Sequence, residues 1–374
     1  MRILVLGNNF NGAYGSLKCF SEEMAKAFSK IGCETFLTYT VNEAVKIINS
    51  NTIDFSIGIG KYSFFCDGVP LYELFQVRHY QWIIDNPKKI SIDVKSKFVK
   101  YILIDKLFSE CISNTANAFM FLPLGVPDKS DHNIVDQTKE EGVVFAGQIR
   151  DSNRLYEMIK GHKYSDSIIE AVDGIVSDLD YPFILGLKRI TCDMPEECIE
   201  DVFSLSNSFV RAYKREKTLG AINEYPVAIV GEVESDKLVE KKNVKLFGKK
   251  GYYEAISIIK KYSFCINIEP NFNAGFHDRI IRAIQNGGLL ITNDGTIQRD
   301  IFGDKLLYFK YSSLEDICCQ ILNISPEQIA QKTAAGAEIV DEFFSWKKIL
   351  SCVIADFKGE NKDEYNRLYR VLGN

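Results

Sequence analysis

Short apolar runs alternate with amphipathic stretches along the first third of the chain. Ile3 to Leu6 is an uninterrupted apolar run, the pattern of a strand buried on both faces of a parallel sheet, and it stops at Gly7. From Ser16 to Lys30, Leu17, Phe20, Met24, Ala27, Phe28 and then Ile31 recur at helical spacing on one face, and Gly32 closes the helix. Further strands are predicted at Thr35 to Tyr39, Ile53 to Ile59, Tyr80 to Ile84, Tyr101 to Ile104 and Ala118 to Leu122. Helices are predicted at Val41 to Ile48 and at Pro70 to Phe75, the latter with Pro in its first turn. This repeated β–α order predicts a doubly wound parallel sheet.

The rhythm breaks at Asp128 to Glu141, a polar stretch without apolar period that reads as a linker. Val143 to Gly147 starts a new strand. Residues 151–222 are mostly helical in pattern, ending in a long helix at Glu197 to Ala221. Strands return at Val227 to Val230, Val244 to Phe247, Phe264 to Ile268, Leu289 to Thr292 and Leu306 to Phe309, with helices at Tyr252 to Lys261 and Arg279 to Asn286. The tail from Ser313 to Leu372 is helical in pattern. At 374 residues, two domains are expected. Their expected bounds are 1–137 and 138–345, with the helical segment 151–222 inside the second and closing helices at 346–374.

Composition narrows the function classes. A chain that is 46% hydrophobic and 25% charged is globular rather than disordered. A net charge of -5 disfavours nucleic acid as a partner. Local basic clusters, at Lys88-Lys89 through Lys100 and at the pairs 241–242, 249–250 and 260–261, read as solvated faces, with a platform for anionic lipid as the alternative. The ten cysteines form no CxxC pair and no zinc spacing, so they read as small core residues in a reducing compartment. The apolar stretch at Met1 to Gly7 is too short for a signal peptide, and no run reaches the length of a membrane span. The expectation is a cytoplasmic protein, with peripheral contact to the inner face of a membrane left open.

The segment from Asn267 to Asp294 carries the densest chemistry. It runs strand, polar loop, helix, double glycine, strand and polar loop. A loop at a strand's carboxyl end that feeds a helix N-terminus favours a phosphate, through free N–H groups and the helix dipole. Arg279 falls in that first turn, where a guanidinium can fork onto a diphosphate. His277 and Asp278 adjoin it. Glu269 follows a buried strand and is either a strand stop or a partner for sugar hydroxyls; Asn273 and Gly275 sit in the same loop.

On these residues the chain resembles the GT-B glycosyltransferases of the group 1 superfamily, and among them the CgeB-like branch. His277, Arg279, Ala283, Gly287 and Asp294 fall on that family's C-terminal pattern. The run Phe145 to Arg150, with Arg154, is similar to the opening strand and phosphate loop of the same domain. Gln81 to Pro87 is similar to a strand end of the N-terminal domain. The resemblance implies two Rossmann-like domains, a last helix that crosses back to the first, and a ligand between the domains. It implies a nucleotide-sugar donor held by Gly147, Arg150, Arg154, Glu269, Asn273, Gly275, His277, Asp278, Arg279 and Asp294, with His277 acting on the leaving diphosphate. It implies an acceptor on a glycan, lipid or protein, no bound metal and no cofactor besides the nucleotide-sugar. The family usually has Glu just before Ala283, and this chain has Arg282 there; Asp278 or Asp294 is the candidate replacement.

In the N-terminal half, Asp85 ends an apolar strand and is the candidate general base, an Asx turn ahead of Pro87 being the plainer reading. Asn9, Gly12 and Tyr14 lie in the first glycine loop, expected to touch acceptor or phosphate. That loop lacks GxGxxG spacing, and Thr38 and Thr40 stand where a dinucleotide fold needs an acid, so a nicotinamide enzyme is disfavoured. His79 reads as structural, as do Tyr62, Phe64 and Phe65; Asp178 and Asp180 read as surface. A sugar-nucleotide epimerase and a non-catalytic carbohydrate-binding protein remain open as alternatives.

Overall fold

The computed structural model describes residues 1–8, 15–85, 96–111, 119–128, 139–192, 194, 196–269, 274–275 and 277–360. The chain divides into two units, Met1–Asn133 with Asp341–Asn374, and Ile134–Val340.

In the first unit, β1 (Arg2–Leu6), α1 (Ser16–Lys30), β2 (Glu34–Thr38), α2 (Val41–Ser50) and β3 (Phe55–Ile59) follow in order. Then come β4 (Phe65–Cys66), β5 (Val69–Pro70), α3 (Leu71–Leu74), β6 (Arg78–Ile83), β7 (Val99–Leu103) and β8 (Phe119–Phe121). The large sheet is parallel, in the order β2-β1-β3-β6-β7-β8. Ile3, Leu4, Val5, Phe55 and Ile57 have no exposed surface, which is why these strands are apolar runs. α1 turns Phe20, Met24, Ala27 and Phe28 inward, as its periodicity predicts.

In the first unit the β4–β5 hairpin escaped the sequence pattern. β4 and β5 form an antiparallel hairpin around Asp67 and Gly68, with φ of 51° and 78°. Positive φ at both turn positions is the hairpin geometry that Asp-Gly favours. The hairpin leaves Phe65 exposed, while Tyr62 packs against Tyr72 and His79. His79 is fully buried between the Ser56 hydroxyl and the Gln81 side chain, both at 2.9 Å. Burial pushes its pKa down to about 4, so the ring is a neutral link within the sheet.

The second unit runs β9 (Glu140–Ala146), α4 (Ser152–Lys160), α5 (Ser165–Val176), α6 (Phe183–Thr191), α7 (Glu196–Ala221), β10 (Val227–Val230), α8 (Asp236–Val239) and β11 (Val244–Gly248). It continues with α9 (Tyr252–Ile259), β12 (Tyr262–Asn267), α10 (Asp278–Gln285), β13 (Leu289–Asn293), α11 (Thr296–Phe302), β14 (Leu307–Phe309), α12 (Asp316–Asn323) and α13 (Pro326–Phe343). Its parallel sheet has the order β11-β10-β9-β12-β13-β14. The winding reverses between β9 and β12, the place where open sheets of this kind offer a crevice beyond their strand ends. α11 was not legible in the sequence: only Ile297, Gln298 and Phe302 of its seven residues are buried, too few for a helical period.

Cysteines depart in part from the expected core role. Those whose side chains are described are free thiols, but Cys192 and Cys319 are exposed. Among the described residues no helix is long and apolar enough to cross a membrane. Two of the lysines expected on solvated faces are tied down. Lys100 pairs with Asp356 at 2.6 Å, and Lys241 donates to the carbonyls of Gly220 and Ile222, capping the end of α7.

The chain leaves the second unit through α13 and continues into α14 (Trp346–Lys358), which belongs to the first. Ser345 caps its start by accepting the Lys348 N–H. The Trp346 indole N–H donates to the Glu23 carboxylate at 2.9 Å, and its ring meets Trp82 edge-on at 5.8 Å. Gly125 must be glycine here, because a Cβ would sit 2.5 Å from the Trp346 ring. Near the other end, Asp356 accepts from the Tyr80 hydroxyl at 2.8 Å as well as from Lys100. Removing the fully packed indole in Trp346→Ala is expected to cost about 3–5 kcal/mol of the first unit's stability. Urea unfolding followed by circular dichroism checks this; a loss below about 1 kcal/mol would show that α14 is only loosely attached.

Candidate functional site

The carboxyl ends of β9 and β12 collect cations. Arg279, in the first turn of α10, folds back so that its guanidinium lies 5.2 Å from the Phe145 ring centroid and 3.2 Å from Asn267 Oδ1. Phe145 is near the end of β9 and Asn267 ends β12, so this one side chain bridges the switch point of the sheet. Gly147 makes room for it: a Cβ there would lie 3.4 Å from Arg279 Nη2 and 3.0 Å from the Phe145 ring. Arg215, from α7, places a second guanidinium 5.4 Å from the same ring and donates to the Gln148 carbonyl. Cation–π attraction helps to hold both where two positive groups repel each other.

Lys214 adds a third charge. It is buried, with its ammonium 4.2 Å from the Tyr311 ring centroid. Burial pulls its pKa down to about 8, against the opposing fields of Asp180 and Asp178. Asp180 is exposed, in keeping with its reading as surface, and it also has a structural task. It accepts from the N–H groups of Tyr311 and Ser312 at 2.7 and 3.1 Å, and from the Ser312 hydroxyl at 2.7 Å, so it fixes the turn that carries Tyr311.

The β12–α10 loop is organised by Glu269, which is 1% exposed. Its Oε1 accepts the His277 N–H at 2.8 Å, and its Oε2 accepts from Gln298 at 3.3 Å. Gln298, on the unanticipated α11, also donates to the Gly275 carbonyl at 3.0 Å. The Glu269 N–H donates to Asn293 at 2.9 Å. This carboxylate therefore serves as the clamp that closes the loop.

His277 caps α10. Its Nδ1 lies 2.7 Å from an Asp278 oxygen and 3.2 Å from the Arg279 N–H. One nitrogen cannot donate and accept at once in a neutral ring. The short approach to a carboxylate assigns the proton to Nδ1, which leaves the Nε2 lone pair as the ring's basic position. Burial lowers the His277 pKa, Asp278 raises it, and the Arg279 and Arg211 charges lower it again, with a net downward shift. For Asp278 burial acts upward, but His277, Arg279 and Arg282 outweigh it and hold the pKa at about 2. Asp294, at the end of β13, gives both carboxylate oxygens to Arg299. Arg282, in the place of the family's Glu, is buried with its guanidinium 5.7 Å from the Tyr252 ring, so this position faces α9.

Of the residues singled out in the sequence, the structure brings Gly147, Glu269, Gly275, His277, Asp278 and Arg279 together. Arg150 and Arg154 are exposed, and among the described residues their side chains make no ion pair or hydrogen bond. Asp85 is exposed, two residues beyond β6. Asn9, Gly12, Tyr14 and Asn273 lie outside the described residues. The sequence reading missed Arg211, Lys214 and Arg215, which occupy i, i+3 and i+4 of α7 and share a face. That spacing was the available signal. Among the described residues, no group of three or more His, Cys, Asp and Glu side chains is placed to hold a metal ion.

No family model and no curated protein sequence matches the chain. Its fold matches solved structures. Sucrose-phosphate synthase from Thermosynechococcus elongatus superposes with a TM-score of 0.55 at 10% identity, covering 96% of this chain and 98% of that one. A DNA-modifying β-glucosyltransferase, solved with and without uridine diphosphoglucose, gives 0.53 at 11% identity over 100% of both chains. HepE from Anabaena, in complex with UDP-glucose, gives 0.52 at 10% identity, covering 96% and 100%. The fold is thus of GT-B type, two Rossmann-like units with a helical insertion and a helical tail.

The His277–Asp278 contact has a titration signature. His277 binds its proton less readily folded than unfolded, so this residue weakens the fold as the pH drops below 6.5. Asp278 has the opposite sign: its contribution is intact above 3.8 and is lost as the pH falls through about 2. Replacing Asp278 by Asn removes the group that raises the imidazole pKa. The His277 midpoint, followed by imidazole NMR, is expected to lie below 6.5 and to move further down in Asp278→Asn. A midpoint that stays put or rises would contradict the pairing.

Proposed function

We propose that this chain is a glycosyltransferase that moves a sugar from a nucleoside-diphosphate donor to an acceptor hydroxyl, with the second unit holding the diphosphate. The observation that carries this reading is the approach of Arg279 and Arg215 to Phe145 at the β9–β12 switch point, beside the N-terminus of α10, with Lys214 buried against Tyr311. Cleaving the bond between the anomeric carbon and the β-phosphate oxygen leaves charge on that oxygen. Fixed cations and helix N–H groups stabilise it with little reorganisation. Arg279 would fork onto the phosphates, Arg215 would hold the 147–150 loop against them, and Lys214 would add charge from below. His277 would interact with the leaving group through Nε2. The first unit would bind the acceptor, on a glycan, lipid or protein, with Asp85 as the candidate base.

The same reading places the chain near the CgeB-like branch. It needs no metal, because basic side chains perform the charge neutralisation. The neighbours solved with uridine diphosphoglucose make that compound the first donor to test.

A thermal-shift panel of UDP, GDP, ADP and dTDP sugars tests the proposal, since a ligand that binds only the folded state raises its melting temperature. One donor is expected to raise it, and the Arg279→Ala variant to weaken that donor's binding by about 10- to 100-fold, the worth of about 1.5–3 kcal/mol for bonds to charged groups. A panel without any shift, or unaltered affinity in Arg279→Ala, would overturn it.

A further inference from the structure

α7 has a second working face. Arg211, Lys214 and Arg215 share one side of the helix; Phe209, Tyr213, Glu216 and Gly220 lie about half a turn round from them. That second side lines a cavity of about 700 Å³ between α7, the start of α4 and α8. The volume falls within the roughly 300–1,000 Å³ of small-molecule sites. The residues of the cationic cluster do not line it.

Its wall is aromatic. Phe209 and Tyr213 stack at 5.7 Å and 18°, and Tyr156 from α4 tilts against Phe209 at 5.7 Å. Its charges are unevenly committed. Of its two carboxylates, Glu216 accepts from the N–H and hydroxyl of Ser152, and Glu157 pairs with Lys160 at 2.8 Å. The Lys241 ammonium is spent on the end of α7. Lys217 and Lys237 remain. Both are exposed at the cavity, and among the described residues neither has an ion pair or a hydrogen bond; Lys217 lies 5.2 Å from the Tyr213 ring. The uncommitted charge is therefore positive, beside aromatic rings and hydrogen-bonding groups.

An apolar ligand would cover these ammonium groups without pairing them, at a desolvation cost. A bare inorganic anion would leave the aromatic wall unused. We propose that this cavity is a second site, separate from the cationic cluster at β9 and β12, and that it binds an acidic saccharide. The ring's C–H face lies on Tyr156 and Tyr213, the hydroxyls meet Asn153 and Glu157, and the acidic group lies between Lys217 and Lys237.

Calorimetric titration of the full chain tests this with D-glucuronate and glucose 6-phosphate as probes, and with glucose and inorganic phosphate as controls. At least one acidic sugar is expected to bind at least tenfold tighter than either control, and which one does so tells a carboxylate from a phosphate ligand. The double variant Lys217→Gln, Lys237→Gln should weaken that binding at least tenfold, and Arg279→Ala should leave it intact. Both lysines are exposed, so the double variant keeps the fold. Equal binding of glucose or phosphate, no binding of either acidic sugar, or binding lost in Arg279→Ala and kept in the lysine variant would each overturn the proposal. The last result would put the ligand in the β9–β12 cluster instead.

Discussion

Mutual repulsion among like charges is the constraint that the second unit is built around. Arg279 and Arg215 approach one phenyl ring, and Lys214 is buried nearby with its pKa drawn down to about 8. Like charges in a partly dry setting repel more strongly than they do in water. The carboxylates at hand also serve other partners. Glu269 is committed to the His277 N–H and to Gln298, Asp278 to His277, and Asp294 to Arg299. Under the proposed function, such a cluster would receive the donor's diphosphate.

The scaffold around the cluster is correspondingly stiff. Neighbouring residues of α7 hold both ends of the short connection between β9 and α4: Arg215 donates to the Gln148 carbonyl, and Glu216 accepts from the N–H and hydroxyl of Ser152. On the other side of the switch point, Glu269, Asn293 and Gln298 tie the end of β12, the end of β13 and α11 into one network. Gly147 keeps the floor low enough for Arg279 to cross it. Each of these contacts positions a cation or the loop beneath it.

Most of the framework could be read from the chain because buried parallel strands must be apolar throughout. Ile3 to Leu6 and Val227 to Val230 announce themselves for that reason, and boundaries elsewhere differ by a residue or two, or by three where β9 begins at Glu140 rather than Val143. Elements stabilised by a turn or by one partner were harder. The β4–β5 hairpin rests on Asp67-Gly68, and α11 on Ile297 and Phe302. The site was half legible. Arg279, His277 and Asp278 sit at a strand–loop–helix junction that local sequence displays. Arg211, Lys214 and Arg215 sit 60 residues or more away on a helix whose charges look like any solvated face, and only tertiary contact reveals where that face points. Arg150 and Arg154 illustrate the converse: their position beside the loop is local, yet their side chains turn to solvent.

The neutral state of His277 follows from the same charges. Its proton affinity is set by burial, by Asp278 in its favour, and by Arg279 and Arg211 against it. An anion seated among the arginines would oppose those last two fields while leaving Asp278 in place, so the balance on the imidazole would shift toward protonation. The imidazole would thus gain affinity for a proton as the anion's charge increases. In the resting protein the Nδ1 contact to Asp278 has already fixed the tautomer. The incoming proton then has one place to go, Nε2, and the ring need not turn to receive it. The arginine fields that hold the imidazole's proton affinity down and the tautomer that Asp278 fixes are therefore two consequences of one arrangement.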